Sequence, residues 1–181
     1  MTVYVALLRG VNIGRNRRIA MADLRTSLAG LGYDNVRTYL QSGNVVFVAP
    51  EEPEETVASA IEHRLAHDSG MNVGTVVRTA EQLDTLIAQC PIEVGDPTRF
   101  LVMFLSRKPD RDRLARMDTA SFAPEEMGVG ERDVYFSLPE GVRNARLPAF
   151  AHKHVSGTAT TRNWNTVTRM RALAHGSGER T

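Results

Sequence analysis

Apolar and polar positions switch along this chain between the strand period of two and the helix period of 3.6. Residues 3–8, VYVALL, make a short apolar run of strand length, and the polar, glycine-containing segment RGVNIGRNRR follows. Met21, Leu24, Leu28 and Leu31 then recur at helical spacing, which predicts a helix with one inward face, ended by Gly30 and Gly32. NVRTYL and NVVFV read as strands joined by Gln41-Ser42-Gly43-Asn44, a short connection compatible with a hairpin. Pro53 opens the next helix, whose Val57, Ile61 and Leu65 lie one turn apart before Gly70. VGTVVRT, residues 73–79, supplies a fourth strand. The order β-α-β-β-α-β is the split β-α-β signature of a ferredoxin-like unit, with helices over one face of an antiparallel sheet.

A connector helix over about 80–90, carrying Leu83, Leu86, Ile87 and Cys90, leads into a second unit. There RFLVMFLS (99–106) reads as a strand and PDRDRLARM as a short helix with Leu114 and Met117 inward. EEMGVG and RDVYFSL follow as two strands turning at Gly130. The β-α-β-β order is thus repeated, as in a duplication, and the second unit is expected to be irregular at its C-terminal end. After Pro139-Glu140-Gly141 the pattern predicts a short helix near 147–154. A final helix follows, capped by Thr160 or Thr161, with Trp164, Val167, Met170 and Ala174 as its inward stripe and a frayed tail after Gly176 and Gly178. The expected class is α+β, two ferredoxin-like units with antiparallel sheets over residues 1–90 and 91–181. Their boundary falls near 91–98, where Pro91, Gly95, Asp96 and Pro97 interrupt both periods.

Composition narrows the class without naming a function. With 181 residues, 42% of them apolar and 24% charged, the chain has the make-up of an ordinary globular protein rather than a disordered, collagenous or coiled-coil one. No stretch reaches the roughly 18–20 apolar residues of a membrane span, and the opening MTVYVALLRG lacks the pattern of a secretory signal. The single cysteine, Cys90, fits a reducing cytoplasm and reads as a helix-end core residue. The net charge of +1 hides a gradient: residues 1–90 sum to −2 and residues 91–181 to +3. Residues 142–178 hold Arg143, Arg146, Lys153, Arg162, Arg169 and Arg171 and no acid, a segment that attracts anions or pairs with acids elsewhere.

Reactive constellations are few. Gly10-Val11-Asn12-Ile13-Gly14 follows a strand but has neither the Lys-Ser/Thr ending of a P-loop nor GxGxxG spacing, so no nucleotide cofactor is expected. It is a polar loop with Arg9, Asn12, Arg15, Arg17 and Arg18, suited to an anion or simply to solvent. Ser42 and Asn44 offer hydrogen bonds in a turn, and no GxSxG surrounds Ser42. His63 and His67 stand one helical turn apart without the HExxH glutamate, and His152 with His154 has no evident third ligand, so no metal is expected. The glutamates around Pro53 and the pair Asp110 and Asp112 suit helix starts. In Thr160-Thr161-Arg162-Asn163-Trp164-Asn165-Thr166, the only tryptophan anchors a helix. Arg162, Asn163 and Asn165 there serve either as caps or as ligand contacts at the helix start.

ALLRGVNIG, MADLRTSLAGLGYDNVRTYLQSGNVVF and TTRNWNTV together resemble the uncharacterised DUF1697 family over nearly the whole chain. The resemblance implies two related ferredoxin-like units and no known reaction. Arg9, Gly10, Asn12 and Gly14 match its first motif, Gln41, Ser42, Gly43 and Asn44 its second, and Arg162, Asn163, Trp164, Asn165 and Thr166 its last. Arg15 and Asn16 depart from the glycine and lysine that often continue the first motif. Three readings follow from the residues. A structural or protein-interaction role ranks first. Next comes small-anion or phosphorylated-metabolite binding in a polar cleft between the units, through Arg9, Asn12, Ser42, Asn44, Arg162, Asn163 and Asn165. In that reading Gly10, Gly14, Gly43 and Trp164 are structural, and the site can extend to catalysis. Weak nucleic-acid binding through the basic surface comes third, since Val45-Val46-Phe47 lacks the aromatic pattern of RNA-binding sheets.

Overall fold

The computed structural model describes residues 1–14 and 17–176. Arg15, Asn16 and Gly178, which figure in the sequence reading, lie outside them. The chain divides into two compact units, one of Met1–Leu83 joined by the chain from Arg169 onward, and another of Asp84–Thr168.

The first unit is built from β1 (Thr2–Leu8), α1 (Met21–Ala29), β2 (Asp34–Tyr39), β3 (Asn44–Ala49), α2 (Glu54–Ser69) and β4 (Thr75–Thr79). The sheet order is β2-β3-β1-β4, and every pairing is antiparallel. Alternation along β1 sends Tyr4, Ala6 and Leu8 into a core with Leu24 and Leu28 of α1 and Val57, Ile61 and Leu65 of α2. Those are the apolar positions that the helical spacing marks out. Phe47 stacks between Tyr4 and Tyr33, with ring centroids at 5.8 and 4.8 Å. The intervening β1 residues Val5 and Leu7 are buried as well, with Val46 and Val76. A sheet buried on both faces explains why VYVALL and NVVFV read as unbroken apolar runs.

The second unit repeats the plan with α3 (Ala80–Ala88) leading to β5 (Phe100–Leu105), α4 (Arg111–Ala115), β6 (Glu126–Val129), β7 (Asp133–Ser137), α5 (Leu147–His152) and β8 (Ala159–Asn163). Its order β6-β7-β5-β8 matches the first unit strand for strand. Leu101, Met103 and Leu105 pack with Leu114, Val134, Phe136 and Leu147. Two sequence expectations are corrected here. Thr160 and Thr161 do not cap the last helix; they lie in β8, opposite Phe104 and Met103. Asn163 caps α6 (Trp164–Ala174) instead, its Oδ1 accepting the Thr166 amide at 2.9 Å. Leu40 is not the end of a strand, for β2 stops at Tyr39 and Leu40 turns into the left-handed region at φ 57°. Among the described residues no helix is long and apolar enough to cross a membrane.

Candidate functional site

The loop after β1 is held by one side chain. Asn12 Nδ2 donates to the carbonyls of Ile19 at 2.9 Å and Gln41 at 2.6 Å, and Oδ1 accepts the Ile19 amide at 2.9 Å. Both donors and the acceptor of the carboxamide are thereby used within the chain. They close the loop on itself and latch it to the β2–β3 turn. Asn12 sits at φ 56°, which asparagine tolerates better than most residues, and its amide bonds the Arg17 carbonyl at 2.9 Å. Its role in this geometry is to position its neighbours.

The turn is held as tightly. Asn44 is fully buried, and its Nδ2 donates to the Tyr39 carbonyl at 3.0 Å and to Ser42 Oγ at 2.9 Å. Gly43 has φ +74°, and a Cβ there would lie 2.6 Å from Val11 Cγ2 and 2.7 Å from Leu8 Cβ. Only glycine fits both the dihedral and the space. The Gly43 carbonyl in turn accepts the Leu8 amide at 2.9 Å. Arg9 therefore leaves the end of a central strand beside this turn, its own amide bonded to the Gly74 carbonyl at 2.8 Å. Its side chain is exposed and has no partner among the described residues. Arg17 donates to the Asn72 carbonyl at 2.7 Å, and a Cβ at Gly10 would lie 3.4 Å from its Nη1.

In the second unit, Arg162 lies on β8 opposite Val102, on the sheet face away from the helices. Its Nη1 donates to Thr160 Oγ1 at 2.8 Å and to the Thr161 carbonyl at 2.9 Å. Burial pulls its pKa down to about 10, which leaves it cationic at neutral pH. Sequence reasoning passed over its counterpart. Arg78 on β4 stands opposite Val5, is 2% exposed, and donates to the carbonyl of the residue before it, Val77, at 2.9 Å. Each arginine precedes a capping residue. Thr79 Oγ1 accepts the Gln82 amide at 3.2 Å while Gln82 Oε1 accepts the Thr79 amide at 3.0 Å, a reciprocal capping box. Arg-Thr-x-x-Gln and Arg-Asn-x-x-Thr are the sequence trace of this repeat. Trp164 packs edge-on against Phe100 at 5.2 Å. Asn165 remains exposed at the start of α6.

One cluster looks like hydrolase chemistry and is not wired as such. Asp68 accepts from Ser27 Oγ at 2.6 Å, from Arg64 Nε at 2.7 Å, and lies 3.1 Å from His67 Nδ1. A nucleophilic serine needs a base to take its proton. Here Ser27 donates directly to a carboxylate that the Arg64, Ser27 and His67 hydrogen bonds hold below the usual range, which makes it a poorer base still. His67 is on the far carboxylate oxygen with its side chain 85% exposed. The cluster ties α1 to α2. Asn44 Nδ2 donates to Ser42 Oγ, and an amide N–H cannot act as a base. Cys90 is half-buried, and burial pushes its thiol pKa up, away from thiolate reactivity. Among the described residues no group of three or more His, Cys, Asp or Glu is placed to hold a metal ion.

Comparison with known proteins agrees with the fold and adds no activity. The profile of a family described as "Protein of unknown function (DUF1697)" matches residues 1–135. No curated protein matches the chain. Among solved structures, the conserved bacterial protein SP0830 from Streptococcus pneumoniae is similar at a TM-score of 0.74 and 21% identity, over 97% of this chain and 99% of that one. A likeness at that identity speaks to the fold.

Proposed function

The chain belongs to the DUF1697 family, and from that premise, which carries a fold and no reaction, we propose that it binds a small anion such as a phosphorylated or carboxylated metabolite. The observation that carries this reading is the Arg9 side chain, which is exposed and unpaired among the described residues beside a turn of fixed geometry. Its guanidinium offers charge-assisted, bidentate donors, and Ser42 stands in the adjoining turn. Asn12 and Asn44 act behind them, spending their hydrogen bonds on the loop and the turn so that neither has to be ordered when a ligand arrives. Taken by itself, the second unit offers Asn165, exposed at the start of α6, with Asn163 capping the helix and Arg162 on the strand before it. The binding is assigned to the cytoplasm, where Cys90 stays reduced.

Nucleic-acid binding on an open sheet draws less support. The faces that RNA-binding units of this topology leave open carry Val5, Leu7, Val46 and Val76 in one unit and Val102, Phe104 and Tyr135 in the other, all buried. The test is capture of small molecules from a cell extract on the immobilised full chain, followed by calorimetric titration with inorganic phosphate and pyrophosphate. A ligand held by the wild type and lost from Arg9→Ala, with Arg9→Lys intermediate, supports the reading. An unchanged profile in Arg9→Ala overturns it.

A further inference from the structure

The two ends of the first unit carry opposite chemistry. β1 spans the sheet with seven residues, about 20 Å at the usual strand rise, and β3 runs back beside it with Leu7 opposite Asn44 and Thr2 opposite Ala49. At the Leu8 end stand residues 9–14, 17 and 18 and the 40–43 turn, with Arg9, Arg17 and Arg18 exposed and no acid in the sequence between residues 9 and 18. The same end presents two aliphatic side chains to water, Ile13 at 74% exposure and Leu40 at 55%. One hydrogen bond links the residues next to them, since Asn12 precedes Ile13 and bonds the carbonyl of Gln41, which follows Leu40. Leu40 also holds a left-handed backbone that disfavours any residue with a Cβ, and no burial of its side chain offsets that cost.

At the Thr2 end, residues 50–55 are Pro-Glu-Glu-Pro-Glu-Glu, with no base among them. Pro50, Glu51, Glu52, Pro53 and Glu55 are exposed, and Asp34, across from Val48, adds a further exposed carboxylate. This end is also fixed: Tyr4 Oη donates to the Glu52 carbonyl at 2.8 Å and accepts its amide at 2.9 Å.

We infer that the first unit associates head to tail with a second copy of this chain, the arginine and aliphatic end of one copy seated on the glutamate and proline end of the next. Each copy carries one of each surface, so the contact is heterologous and propagates or closes into a ring. Charge guides the approach and makes it sensitive to salt, while Ile13 and Leu40 lose water against the prolines. An acidic segment of another protein would engage the arginine end alone and leave the glutamate end without a part. A test that reverses both ends separates the two occupants.

The test is sedimentation equilibrium of the full chain from about 10 µM to about 1 mM, at about 20 mM and about 500 mM NaCl. The expected weight-average mass rises above 20.0 kDa with concentration at low salt and returns to it at high salt. Ile13→Glu with Arg18→Glu reverses one end, and Glu51→Lys with Glu52→Lys reverses the other. Each doubly substituted protein is expected to associate at least about tenfold more weakly, and an equimolar mixture of the two regains association, because each supplies the surface the other lacks. Leu40→Asn, a residue that accepts the left-handed backbone, lowers association without lowering the melting temperature and guards against a folding artefact. A wild type at 20.0 kDa throughout, a reversed protein that associates like the wild type, or a mixture that stays monomeric overturns the inference. The Glu51→Lys with Glu52→Lys protein leaves the whole Arg9 loop unchanged, so anion binding is scored on that protein apart from association.

Discussion

Replacing Asn12 by alanine removes three hydrogen bonds and changes the backbone preference at one position. The two bonds to Ile19 are half-buried and contribute about 1 kcal/mol each. The bond to Gln41 is exposed, and a few tenths of a kcal/mol is a fair share for it because water takes its place. Alanine at φ 56° adds about 1 kcal/mol of left-handed cost. The expected loss is about 3 kcal/mol, a large part of the roughly 5–15 kcal/mol that holds a domain folded. Asn12→Gly forfeits the same bonds without the backbone cost, so it should fall about 1 kcal/mol short of the alanine variant. Urea unfolding followed by circular dichroism gives the free energies, and hydrogen exchange at the Ile19 amide reports whether the latch is open. A loss below about 0.5 kcal/mol for alanine, equal losses for alanine and glycine, or an Ile19 amide as protected as in the wild type would refute the argument.

Three further outcomes are expected. Gly43→Ala combines a positive φ with a Cβ inside contact distance of Val11 and Leu8, and should lower stability by about 2–4 kcal/mol in urea unfolding. Asn163→Ala removes the α6 cap and should lower it by about 1 kcal/mol, with Asn163→Asp close to wild type. Asp68 is held below its unfolded pKa of about 3.9 by Arg64, Ser27 and His67, so the stability it contributes is full above that value and is lost as pH falls toward the folded pKa. Acid titration followed by circular dichroism should therefore show a shallower loss of stability below about pH 4 in Asp68→Asn than in the wild type.

Legibility from sequence followed how much of each element's burial was written in its own residues. The helices α1 and α2 and the strands β1, β3, β5 and β7 carry their apolar positions at the period of the element, and the ferredoxin-like order follows from them. β8 escaped because only Ala159 and Thr160 of its five residues are buried and the rest is polar. Its evidence lay in a comparison with the first unit, where an arginine followed by a capping residue also marks the passage from the fourth strand into a helix. Gly43 and the turn were legible because glycine at a hairpin signals a positive φ. Leu40 was not, because nothing in the residue type foretells a left-handed leucine. For Asn12 and Asn44 the residue type said only that they form hydrogen bonds. Which partners they take depends on Ile19, Gln41 and Tyr39, and only the folded chain brings those within reach.

The capping residues Thr79 and Asn163 are also the last residues of their strands, so β4 passes into α3, and β8 into α6, with no connecting loop at all. A chain with no slack at these two places cannot absorb added length there. One residue inserted after either cap would turn the following helix by about 100° about its own axis and carry its buried stripe into water. Evolution and the protein engineer alike would find the strand-to-helix joints fixed in length.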